Sequence, residues 1–421
     1  MGKVFRSTLI VGSLVGSLIA APVWAGASSF SHILWASPTG GSGSCTRKAP
    51  CSLDNAVSSA ADGDTVFALP GVYKGGVLID KRLVLSGWGA TIDASSSPFG
   101  NGVQIVGPGG SGSTVEGFKI ENAEFEGILV GTAPVAPQTS DGTPVASGEP
   151  VSDMTIVGNI LVNNDRGLGS DDGQCFSTPE APGDCGESIH LVSVTNSIVE
   201  GNSAEGNAGG ILLTDEFGPT SGNKIRGNQA VDNDDDCGIT LAGHNSAAVD
   251  STTGLPTGAA GVFDNVVENN ISNNNGISGQ GAGILLGGGV PYAGVYANVI
   301  RNNESRGNGL AGVTLHQHLV GDLNDNVIEG NLVSDDNIDG DYDFAAAAAT
   351  QTTGILIASG APPGPPLPPF LLPGPITGTV IQGNLIFAVK VGVWTLGVDP
   401  ASTTIAGNIF SPGVTTPIST H

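Results

Sequence analysis

Carboxylates and imidazoles recur at matched places in this 421-residue sequence, and their pairing is what could do chemistry. Glu216, His244 and His318 stand at one offset behind three copies of a short apolar phrase, and Asp215 sits beside Glu216. His190 and His316 project from the phrase itself, while Asp234, Asp235 and Asp236 precede the copy that His244 follows. A carboxylate beside an imidazole orients it as a general base or shares a metal ion with it. Two carboxylates across a groove protonate a leaving oxygen and activate water. On this reading Asp236 (with Asp235) and Glu216 supply acid and base. His244 and His316 position substrate or a cation, and Asp215, His190 and His318 contact substrate. The competing reading leaves these side chains on a solvated edge, each imidazole bonding the next layer. A metal reading makes His244, His316 and His318 ligands. No cofactor is demanded, and calcium is the cation the acids would accommodate.

Such residues need a scaffold that repeats, and the sequence has one. Apolar-x-Gly/Asn-Asn recurs, ending at Asn159, Asn202, Asn228, Asn270, Asn303, Asn331, Asn384 and Asn408. Five residues after the first five comes a second Asn: Asn164, Asn207, Asn233, Asn275 and Asn308. A Gly-Ile/Val-x-Leu phrase follows, as in GILL from Gly210, GITL from Gly238 and GVTL from Gly312. The shortest intervals between equivalent Asn, 24, 26 and 28 residues, are the period of a three-sided coil. The spacing predicts an all-β, right-handed parallel β-helix: single-stranded, three-faced coils joined at Asn corners that stack as ladders. Asn is expected at corners because it tolerates the left-handed conformation.

Strand alternation sets the faces. Ile189, Ile211, Ile239, Ile284, Val313 and Ile355 form one inward column, and Leu191, Leu213, Leu241, Leu286, Leu315 and Ile357 the next. Cys237 shares that parity and is read as a core residue. Glu200, Arg226, Glu268, Arg301 and Glu329 line an outward column, read as a cross-strand charge ladder. Insertions at about 131–152, 165–187, 245–261, 339–353 and the Pro-rich 360–376 flank the Gly-Ile-x-Leu strand and would wall a groove on that face.

Residues 1–25 read as a cleavable export signal: Lys3 and Arg6, an apolar run from Thr8, then Val23 and Ala25 before the cut. Residues 26–421 form one domain, with a cap to about 62 that includes a short helix from Ser52, and coils from about 63 to 415. Cys45 with Cys51, and Cys175 with Cys185, are near enough to close loops in an oxidising, extracellular setting. A net charge of −25 argues against nucleic acid and anionic membranes as partners, and nothing after the signal could span a bilayer. Oligomeric state is left open.

DDDCGIT followed by GHN is similar to the polygalacturonase family, whose Asp-Asp-Cys and Gly-His-Gly phrases carry its chemistry. That resemblance implies Asp235 and Asp236 as the acidic pair and His244 as the supporting histidine. Here the histidine follows on the same coil, and Asn245 replaces the final glycine. A lyase or epimerase would want a Lys or Arg base, for which Arg166 and Arg306 are the candidates. From about residue 35 to 415 the chain resembles exported bacterial β-helix repeat proteins of the pectin-lyase-like superfamily. The expectation is a secreted, carbohydrate-directed protein acting on a polysaccharide as hydrolase or lyase. The alternative is a non-catalytic surface or matrix protein that binds a glycan or other partner.

Overall fold

The computed structural model describes residues 31–131, 150–167, 186–278, 281–344 and 351–421. The chain divides after Ser31, and all elements below belong to the unit His32–His421. The expected signal segment and the Cys175/Cys185 pair lie outside the described residues. The expected bond between Cys45 and Cys51 is present.

Each full coil contributes four short strands. In one coil these are Ile198–Glu200, Ser203–Glu205, Gly209–Thr214 and Thr220–Ser221. Equivalent strands of successive coils pair in parallel, building sheet A (12 strands), sheets B and C (11 each) and sheet D (six). Sheets A, B and C are the three faces expected. Sheet D is added between C and A, where the chain leaves the Gly-Ile-x-Leu strand. Strand, turn and return to a parallel neighbour give the right-handed crossover that twisted strands favour. At the N-terminal end Ile33–Gly41 starts sheet A, and helix Leu53–Ser59, capped by the Ser52 side chain, buries Leu53, Ala56 and Val57.

Both predicted apolar columns are buried in one continuous core. Each such side chain stabilises by ~1.5–3 kcal/mol, so the stacked rows hold the coils together. The Asn columns supply the polar half of the same interior. Asn228 donates its backbone N–H and Nδ2 to Asn270 Oδ1, and Asn270 does the same to Asn303. The second Nδ2 hydrogen of Asn270 goes to Ile225 O, so the buried amide is fully used.

Three details differ from the sequence reading. The left-handed residue is not the ladder Asn but the one before it: Gly201, Gly227, Asn269 and Asn302. Glycine or asparagine there turns the chain, which frees the ladder Asn to bond along the axis. A third ladder, Asn223, Asn265, Asn298 and Asn326, runs up the corner between sheets D and A. Cys237 is buried, but with Ala282, Leu310 and the outward Leu285 rather than in the main core. The strand begins only at Ile239, so alternation does not extend back to Cys237.

The charge column pairs as read: Arg226 bonds Glu200 at 2.8 Å, Arg301 bonds Glu268, and Gln382 continues it onto Glu329. These side chains are solvent-screened, and such pairs contribute little. Arg226→Ala is expected to leave the thermal midpoint nearly unchanged, a result that differential scanning calorimetry would check.

Candidate functional site

The exterior of sheet C carries the candidate residues. Its register aligns His190 with Leu212 and Thr240, and Thr214 with Ala242, Gly287 and His316. Extended one step past the strands, the same register puts Glu216 beside His244, as their shared offset predicts. His244 Nδ1 lies 2.9 Å from Glu216 Oε1, with side-chain exposures of 6% and 14%. One layer earlier, His190 Nδ1 meets Glu126 Oε1 at 3.3 Å and its Nε2 meets Thr214 Oγ1 at 2.9 Å. Two Glu–His dyads therefore lie on neighbouring layers, with Thr214 between them.

Electrostatics separates the acids. Burial alone would raise Glu216, but the hydrogen bond and charge of His244, aided by His190 and Thr214, bring it down to about 2. Glu216 is thus a fixed anion against which an imidazole can gain or lose a proton. Burial raises Asp215 to about 7, opposed by short bonds from the His244 and Gly261 backbone N–H groups. Both Asp215 oxygens are committed to tethering the 245–261 insertion, which makes it a positioning residue rather than a substrate contact. Burial likewise raises Glu126, against the pull of His190.

The Asp235/Asp236 expectation meets different geometry. Asp235 is exposed, and Asp236 Oδ1 accepts the Cys237 backbone N–H at 2.6 Å. Strand Ile239–Gly243 separates both from His244. At ~3.3 Å per residue the two ends are roughly 15 Å or more apart. Paired glycosidase carboxylates stand about 5–9.5 Å apart, so Asp236 and Glu216 do not form the acid–base pair read from the sequence. Asp236 instead bonds the Glu187 carboxyl at the strand's leading edge. Arg166 bonds Asn122 O, and Arg306 lies by Asp335 and Ser334 at sheet B, so neither serves this face as a base.

His316 and His318 form a separate cluster. Their rings are 4.5 Å apart and both pack against Phe344. Asp341 and Asp343 reach them at 3.4 Å (to His316 Nε2) and 3.7 Å (to His318 Nε2). His244 is not part of this group, which corrects the three-histidine ligand set. Between the two clusters runs a layer without side chains: Gly287, Gly288 and Gly289, with Gly289 against His244. The Pro-rich 360–376 segment borders the same end of the face, with Val320 N–H bonding Leu371 O and His318 Nδ1 bonding Gly360 O. At the opposite end a 660 Å³ cleft over the first sheet C strand is lined by Leu78, Lys74, Lys81 and Phe99.

Glu126, Glu187, Asp341 and Asp343 were not singled out from sequence. A signal existed for the first two, because FEGILV and GESIHL align Glu126 with Glu187 one coil apart. Asp341 and Asp343 lie in an insertion, where no period applies.

A family profile described as NosD, periplasmic copper-binding protein, matches residues 148–304. No curated protein matches the sequence. Among solved structures, the catalytic domain of an alpha-1,3-glucanase in complex with tetrasaccharides has a TM-score of 0.50 at 12% identity. That match covers 85% of this chain and 56% of the glucanase domain, just over half its length. The A-module of the Azotobacter vinelandii mannuronan C-5 epimerase AlgE6 scores 0.49 at 15% identity, covering 86% of this chain and 94% of its own. A pectate lyase scores 0.37 at 13% identity, covering 90% and 78%. The profile match ends before His316, and among the described residues the group of three convergent metal-type donors is His316, His318 and Asp343. At these identities the likenesses are ones of fold, and in fold this chain is a right-handed parallel β-helix.

Proposed function

We propose that this is an exported, glycan-directed β-helix enzyme whose working surface is the exterior of sheet C, with His244 as its proton-transferring group and Glu216 as the anion that orients it. The observation that carries this reading is the buried Glu216–His244 hydrogen bond on the exterior of sheet C, beside the side-chain-free run Gly287–Gly289 and the His316–His318 pair. His244 and His318 stand two layers apart, ~10 Å at the spacing of parallel strands, with the His244 ring leaning over Gly289 in the layer between. Anionic Glu216 fixes the orientation of His244 and stabilises its protonated form, so the imidazole can take a proton and return it. The Glu126–His190 dyad one layer away is buried with both imidazole nitrogens committed, to Glu126 and to Thr214, so His190 braces this face rather than contacting substrate as the sequence suggested. The likeness to a glucanase solved with tetrasaccharides supports the substrate class. Residues 1–25, the Cys45–Cys51 bond and the periplasmic family name support export.

The test is turnover on a panel of acidic and neutral polysaccharides, with and without calcium, following both reducing ends and unsaturated-product absorbance. Turnover is expected, and the product type separates hydrolysis from elimination. A folded chain inactive on every glycan would instead be a binding or surface protein.

A further inference from the structure

A second site lies two layers beyond the Glu216–His244 dyad on the same face, and its metal-binding test needs no turnover on any glycan. His316 leaves strand Val313–Gln317 on the outer face of sheet C, and His318 follows as the chain turns away. The insertion after the second corner returns over them with Asp341, Asp343 and Phe344. The Asp343 backbone N–H bonds Asp341 Oδ1, which fixes that turn. Phe344 stacks on His318 at 4.8 Å and packs edge-on to His316 at 4.6 Å, holding both imidazoles.

The polar atoms converge without satisfying one another. His316 Nε2, His318 Nε2 and Asp341 Oδ2 are buried and meet carboxylates or imidazoles only at ion-pair distances of 3.4 Å (His316 to Asp341) and 3.7 Å (His318 to Asp343), without well-formed hydrogen bonds. Leaving such atoms unpaired costs ~1–3 kcal/mol each, so a plain ion-paired cluster would be a poor use of them. His318 Nδ1 bonds Gly360 O at 3.0 Å, so Nδ1 is the donor there and Nε2 is the nitrogen turned toward the carboxylates. The donor spacings are 3.4 Å (His316 to Asp341), 3.9 Å (His316 to Asp343) and 3.7 Å (His318 to Asp343). A tetrahedron built on ~2.0–2.1 Å bonds has edges of about 3.3 Å, which small side-chain shifts would reach.

We propose that His316, His318 and Asp343, whose donor atoms lie within 4.8 Å of one another, bind one divalent transition-metal ion of the Zn²⁺ or Cu²⁺ type, with Asp341 fixing the turn that carries Asp343. Two imidazoles select against Ca²⁺ and Mg²⁺, which prefer all-oxygen sites.

The experiment is isothermal titration of the purified, tag-free chain with Zn²⁺, and with Ca²⁺ and Mg²⁺ as controls, plus electron paramagnetic resonance of a Cu²⁺ sample. One Zn²⁺ per chain, no Ca²⁺ or Mg²⁺ competition, and a Cu²⁺ spectrum split by two imidazole nitrogens are expected. Affinity should fall at least about tenfold in Asp343→Asn and more in His316→Ala/His318→Ala. Asp343 is half-exposed, so its variant decides the matter if the double variant does not fold. Absence of binding by the folded chain, or unchanged stoichiometry and affinity in Asp343→Asn, would overturn the site.

Discussion

Asn270→Ala is expected to destabilise the fold by roughly 3–5 kcal/mol, because it orphans three buried groups at about 1–3 kcal/mol each, partly relieved by relaxation. Those groups are the Asn228 backbone N–H, one Asn228 Nδ2 hydrogen and Ile225 O. The Asn270 backbone N–H would keep its bond to Asn303 Oδ1, so the break is confined to one layer. Urea unfolding followed by circular dichroism reads the effect as a lowered midpoint. A loss below about 1 kcal/mol would mean that the ladders are incidental to stability.

The second large effect is on pH dependence. The ladder from Asn164 through Asn308 ends not on Asn but on Asp336, whose Oδ1 accepts both Asn308 donors while Oδ2 is buried without a partner. Burial pushes Asp336 up to about 8 from 3.8, against the pull of the Asn308 donors. Between those values the folded chain keeps a proton that the unfolded chain has released, so stability falls as pH rises through that window. The span corresponds to a change on the order of 5 kcal/mol. Asp336→Asn completes the amide ladder with no titrating group, so the variant should melt at a higher temperature than the parent above about pH 7. Asp215, also raised, slopes the same way, so the informative quantity is the difference between the two melting profiles from pH 4 to 9. Parallel profiles would show that Asp336 is not the buried acid described.

The scaffold was legible because a solenoid writes its period into the sequence. The two Asn columns, the Ile and Leu columns and the alternating Glu/Arg column all follow from one interval read repeatedly. The third ladder obeys the same arithmetic, since Asn223, Asn265, Asn298 and Asn326 each stand five residues before a first-corner Asn. It went unread because the insertions fall just ahead of it, and sheet D strands of two to four residues leave no alternation to detect.

The site was legible where register carried it and hidden where it did not. Glu216 and His244 share an offset on adjacent layers, and offset on a parallel stack is contact. Asp236 and His244 share a coil, which looks close in sequence but places them at opposite ends of a strand. His316 and His318 were visible, but Asp341 and Asp343 reach them from an insertion whose path no period predicts. Only tertiary packing, with Phe344 as its anchor, brings those four together.

The claim that chemistry sits on Glu216 and His244 is tested most directly by comparing wild type and Glu216→Gln on the polysaccharide panel. Circular dichroism would establish that both are folded. The reading predicts turnover by wild type and a kcat at least about 100-fold lower in the variant, the usual scale for losing acid–base assistance. Equal turnover in both, or none by the folded wild type on any glycan, would contradict it.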